Sequence, residues 1–102
     1  MLYFGTANKD GTAISDDDWQ RFLANEVSKR FPDGFTTWDA NGQWRTREGA
    51  IQHERTHIVQ IIHGESPTAE GHVRAIVEAF KRAFPQQETV LRVRTHAGVA
   101  FQ

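Results

Sequence analysis

Two stretches of the chain repeat apolar side chains every third or fourth residue, and four others carry them in short runs or in alternation. Leu2 to Thr6 is brief, apolar and aromatic, and gives way to a polar loop from Ala7 to Ala13, so it predicts a strand followed by a loop. Ser15 is then placed to cap a helix, with Asp18 three residues on and Asp16 to Asp18 at the positive end of the helix dipole. Trp19, Phe22, Leu23 and Val27 form its buried stripe, and Phe31-Pro32-Asp33-Gly34 ends it. Phe35 to Arg45 and Ala50 to His63 predict two strands. Asn41-Gly42 has the form of a two-residue turn, but a bulge near Gly42 with reversal at Arg47-Glu48-Gly49 leaves arms of similar length and is preferred. Ser66 and Pro67 open a second helix whose stripe is Val73, Ile76, Val77, Phe80 and Phe84, and Pro85 closes it. Thr89 to Thr95 is the last predicted strand, with a continuation toward Phe101.

The order β-α-β-β-α-β, with right-handed crossovers, predicts a single α+β domain over residues 1–102, a ferredoxin-like sandwich. Its four-stranded antiparallel sheet has the spatial order 4-1-3-2 and both helices on one face. The other face is left open, and an open face with apolar residues finds a partner or encloses a ligand. The expected use is pairing with a second copy in a homodimer.

Alternation assigns residues to that face. Leu2, Phe4, Ile58, Ile62, Leu91 and Val93 are placed toward the helices. The open face then receives Tyr3, the parity set His57, Val59, Ile61 and His63, and Arg92, Arg94 and His96. Trp38 or Asp39 borders them from the second strand. Tyr3, His57 and His63 are the candidate proton-transfer groups, and Arg92, Arg94 and His96 with Tyr3 are candidates for holding an anionic or aromatic ligand. The plainer reading of the same residues is interface packing, where arginine and aromatics are enriched.

Composition narrows the chemistry. Twelve basic and thirteen acidic residues leave a formal net charge of −1, which offers no field for a nucleic-acid partner. There is no cysteine, so thiolate chemistry and cysteine-based metal sites are excluded. Of the five histidines, His53, His57 and His63 share one parity, but two-residue steps of ~6.6 Å keep them from sharing an ion. No metal or cofactor is expected. No apolar run reaches the ~20 residues of a membrane span, and the start of the chain lacks a leader's pattern. A cytoplasmic protein is expected from the chain as given, or one whose leader has been removed.

Several segments together resemble a bacterial family of uncharacterised proteins, known as a domain of unknown function (number three-five-seven-four) and often described as lipoproteins. They are Leu2-Tyr3-Phe4-Gly5, Trp19 to Leu23, Phe31-Pro32-Asp33-Gly34, Asp39 with Gly42-Gln43-Trp44-Arg45, Glu54, Phe80-Lys81-Arg82 with Phe84, and Gln87-Glu88 leading into Val90-Leu91-Arg92-Val93. The resemblance brings no substrate with it. It draws attention to Tyr3, Gln43, Trp44, Glu54, Glu88 and Arg92, and so adds Asp39, Gln43 and Trp44 to the candidate ligand-binding residues. This chain departs from it by having Phe80 where tyrosine is usual and His57 where another residue is. By fold analogy the expected function is a small-molecule site, or a cofactor-independent enzyme, between two open sheets as in dimeric α/β-barrels. The alternative is a non-catalytic module for self-association or docking.

Overall fold

The structure, a computed structural model, describes residues 1–87, 89–100 and 102. Strand β1 is Leu2–Gly5. Helix α1 starts with the Ser15 hydroxyl accepting from the Asp18 N–H at 3.1 Å. It is α-helical over Asp16–Phe22, makes a π-helical turn over Leu23–Val27 and ends with Ser28–Arg30. Strands β2, Thr36–Arg45, and β3, Ile51–Gln60, follow. Helix α2, Pro67–Ala83, is capped by Ser66, which accepts from the Ala69 N–H at 3.0 Å, with Pro67 at its first position. Strand β4 is Val90–Arg92, shorter than the predicted Thr89–Thr95. Phe101, to which that strand was extended, lies outside the described residues.

The antiparallel sheet runs β2-β3-β1-β4, the expected spatial order. One face carries both helices. Leu2, Phe4 and Val59 pack there against Trp19, Phe22, Leu23 and Val27 of α1 and Val73, Ile76, Ala79 and Phe80 of α2. Phe4 is the hub, with ring centroids 5.2 Å from Trp19, 5.9 Å from Phe22 and 4.6 Å from Phe80. Such tilted and edge-on aromatic pairs add to the gain from burial itself. The predicted stripes of both helices are the observed ones.

β2 and β3 pair over ten residues without interruption, from Thr36 opposite Gln60 to Arg45 opposite Ile51. The bulge expected near Gly42 is therefore absent. The reversal is where it was placed, at Arg47-Glu48-Gly49, with Thr46 N–H to Ala50 O at 2.8 Å and Gly49 at φ 87°. β1 covers the β3 residues from Thr56 to Val59 alone. Beyond Thr56 the hairpin projects as a two-stranded arm, and the molecule is elongated, 44 × 26 × 25 Å.

Residues directly opposite in an antiparallel ladder point to the same face. Leu2 is opposite Val59 and Arg92, Phe4 opposite His57, and Tyr3 opposite Ile58 and Leu91. The helix face of β3 thus holds His57 and Val59, and the open face Ile58. The helix face of β4 holds Arg92, and the open face Leu91. These are corrections to the faces expected for both strands. Ile62, expected in the core, is 63% exposed. Tyr3, Leu2 and Phe4 lie where alternation placed them. In β2, Trp38 is opposite Ile58 and faces out, and Asp39 is opposite His57 and faces the helices.

Candidate functional site

With its faces assigned, the open side of the sheet carries Tyr3, Trp38, Gly42, Trp44, Glu54, Thr56, Ile58 and Leu91. Where β1 ends and the arm continues, a cleft of about 790 Å³ opens, lined by Tyr3, Gly5, Trp44, Gln52, Glu54 and Gln87 among others. Its size is that of an ordinary small-molecule site.

Glu54 is the centre of this cleft. It sits on the arm, opposite Gly42, and reaches back to the body. Its Oε2 accepts from the Thr6 N–H at 3.1 Å and the Ala7 N–H at 2.9 Å, so the end of β1 fixes the carboxylate's position. The carboxylate lies against bare backbone. A Cβ on Gly5 would meet Glu54 Oε1 at 3.0 Å, Glu54 Oε2 at 3.1 Å and Gln87 Oε1 at 3.1 Å. Gln87 donates both amide hydrogens outward, to Ala7 O at 2.7 Å and Asn8 Oδ1 at 3.1 Å. Trp44 is the diagonal neighbour of Glu54 on the same face, and Tyr3 stands two residues back along β1.

A glycine at position 42 is needed for Trp44 to lie where it does. A Cβ there would be 2.5 Å from Thr56 Oγ1 and 2.9 Å from Trp44 Nε1. The Thr56 hydroxyl is buried under this contact without a hydrogen-bond partner among the described residues. The wall opposite the arm is the loop after β1, clipped by paired bonds between Asp10 and Gln86 at 3.0 and 3.1 Å. Hydrogen bonds from Thr12, and then from Gln86, hold the Asp10 carboxyl down at about 2.

The residues singled out in the sequence fall into three places. Tyr3 and Trp44 line this cleft. Gln43 is opposite His53 on the other face of the arm, and Glu88 lies outside the described residues. His63, Arg92, Arg94 and His96 meet instead in a second cleft of about 570 Å³, at the far end of β1 and β3 on the helix side. There Arg92 grips Glu70 of α2 through two bonds of 2.9 and 3.0 Å, and Arg94 reaches the same carboxylate at 3.2 Å. The Arg92 hydrogen bond is the main reason the Glu70 carboxyl titrates below its ordinary value of 4.5. His96 pairs with Glu65 at 2.5 Å.

His57 and Asp39 form the third group. The His57 ring is stacked on Trp19, centroids 4.3 Å apart and planes 8° from parallel, and lines neither cleft. Its Nδ1 is 2.6 Å from Asp39 Oδ1, and its Nε2 is buried without a partner among the described residues. The neutral tautomer with hydrogen on Nδ1 satisfies this arrangement, since an Nε2–H there would be buried unmade. Asp39 also lies 3.7 Å from Arg55, which pairs at 2.5 Å with Asp16 at the start of α1.

Gly5 and Gln87 were not among the candidate site residues. Both stand in the segments that carry the family resemblance, but their role comes from the meeting of β1, the arm and the segment after α2. Glu54 shares the parity of Ile58, and both belong to the open face.

Among the described residues no three His, Cys, Asp or Glu side chains converge as metal ligands. None of the helices described is long and apolar enough to cross a membrane. No curated protein matches the chain in sequence. Among solved structures the fold is similar to that of a phage SAM lyase in complex with S-methyl-5′-thioadenosine. The TM-score is 0.61 at 19% identity, over 87% of this chain and 72% of that one. At this identity the likeness is one of fold. Over residues 1–101 the sequence matches a family model, and the chain belongs to the family described as Protein of unknown function (DUF3574).

Proposed function

We propose that the open-face cleft is a small-molecule site, built by Tyr3, Trp44, Glu54 and Gln87 and closed by a second copy of the chain. The observation that carries this reading is Glu54. It is a half-buried carboxylate positioned by two backbone N–H groups inside an aromatic-lined cleft, and it forms no ion pair among the described residues. Glu70, by contrast, is taken up by Arg92 and Arg94.

The similar fold of the phage SAM lyase holds S-methyl-5′-thioadenosine, which supports a ligand of nucleoside size for a cleft of about 790 Å³. Tyr3 and Trp44 offer flat faces for such a ring system. The Tyr3 hydroxyl and the Glu54 carboxylate, on the sheet side of the cleft, are groups able to move a proton. The test is isothermal titration with S-methyl-5′-thioadenosine, followed by a structure of the mixture. Expected are saturable binding, ligand against Trp44 and loss of affinity of about tenfold or more in Trp44→Ala. No binding, or ligand seated in the Arg92 cleft, would remove the assignment.

A second reading is self-association alone. It is favoured by Trp38 and Leu91, 40% and 45% exposed on the same face. Under it the assembly forms and the cleft takes no ligand of any class.

A further inference from the structure

We infer that the ligand of the open-face cleft carries a positively charged centre, a sulfonium or an ammonium, seated over Glu54. The inference rests on the small-molecule reading above and supplies the charge of what binds.

It follows from the hydrogen-bonding state of the cleft floor. Glu54 Oε2 already takes two N–H bonds. Oε1 has no donor among the described residues and stands beside bare Gly5. The neighbouring Gln87 cannot supply one. Ala7 O can only accept, so the Gln87 atom bonded to it must be the nitrogen, and both of its hydrogens are used. The Asn8 amide is fixed in the same way, because its Nδ2 donates to the Thr12 hydroxyl. Gln87 therefore turns its Oε1 toward Gly5, next to the carboxylate. The floor presents acceptors only.

An acceptor-only floor repels a ligand phosphate or carboxylate and attracts a cation. The aromatic residues of the cleft act in the same direction, since the faces of tryptophan and tyrosine attract positive charge. One carboxylate and one amide oxygen are too few hard ligands for a divalent metal. Lys9, on the loop after β1, and Arg45 and Arg47, at the tip of the arm beside Glu48, also line the cleft, and none of the three pairs with Glu54 among the described residues. Arg45 stands three residues past Gly42, roughly 10 Å further along the strand.

The experiment compares two probes that differ by one methyl group and one charge, S-methyl-5′-thioadenosine and its S-methylated sulfonium. Both are titrated into wild-type protein and into Glu54→Gln. Gln keeps an oxygen for the Thr6 and Ala7 N–H groups, and circular dichroism and melting check that the variant is folded. The sulfonium is expected to bind wild type roughly tenfold or more tightly than the thioether. That preference should shrink as salt is raised, and be lost in Glu54→Gln, whatever the change in absolute affinity. Equal affinities in wild type, or a preference that survives in Glu54→Gln or ignores salt, overturn the inference and leave the small-molecule reading standing. If neither probe binds wild type, both fall together.

Discussion

At Gly42 a single missing side chain decides where an aromatic of the site can lie. The register leaves no bulge, so backbone freedom does not explain this glycine; the close approach of Thr56 Oγ1 and Trp44 Nε1 does. Gly42→Ala is expected to destabilise the protein by about 1–3 kcal/mol, because Thr56 is held by the ladder and cannot move away. Thermal melting measures the effect, and Thr56→Ala in the same chain should recover part of it, since the two residues are in contact. Simple addition of the two single-mutant effects would show that the crowding is not between these residues. His57 teaches a related point. As a histidine on a strand it was a candidate acid–base group, but its ring packs flat on Trp19 with Nδ1 bound to Asp39, and it lines neither of the two clefts described.

At the scale of elements, the helices, their caps, the hairpin reversal and the strand order were all legible in the sequence. Each rests on local chemistry: Ser15 and Ser66 as caps, Pro67 at a first helical position, Gly49 in a tight turn. The faces of β3 and β4 were not legible. His57 to Ile62 is apolar on both parities, so alternation has no purchase, and Ile58 and Val59 are both buried although they point opposite ways. In β4 the apolar-inward rule placed Leu91 inside, whereas the short edge strand turns Arg92 inward to meet Glu70. That partner lies on α2 and is tertiary information. Because the Arg92 bond holds the Glu70 carboxyl below its ordinary value of 4.5, the tie is complete above that pH and is lost as pH falls through the lowered value. The protection of the Val90–Arg92 amides, taken relative to their intrinsic exchange rate at each pH, should therefore fall in acid before that of the helices. In Glu70→Gln those amides should exchange faster already at neutral pH. An unchanged β4 in that variant would show that β1 alone holds the edge.

The whole molecule is larger in outline than its mass requires. A compact monomer of 11.6 kDa exposes about 5,800 Å², and this chain exposes 7001 Å². Its radius of gyration is 14.4 Å, against about 12.8 Å for a compact chain of this length. The arm and the extended stretch after β4 account for the difference, and the exposed apolar residues of the open face, Trp38, Trp44 and Leu91, sit beside the arm. The excess is of the order that one partner buries in a standard interface, about 800 Å². Under the proposed pairing of two copies, Leu91→Arg is expected to give a monomer by sedimentation where the unaltered chain sediments as a dimer, with little loss of fold because Leu91 is already 45% exposed. An unchanged sedimentation coefficient would place any self-association elsewhere.

The position of β1 has a consequence for how the chain is made. β1 leaves the ribosome before the other three strands of the sheet, yet it pairs with β3 on one side and β4 on the other. Tyr3 is opposite Ile58 and Leu91, so its two neighbours are synthesised about half a chain and almost a full chain later. The β2–β3 hairpin is local and can close as soon as it emerges. Phe4, the hub of the core, must wait for α2 and its Phe80 before it is covered. Nascent chains that stop short of Phe80 should thus hold a hairpin and no core, so the domain can close only once α2 has emerged.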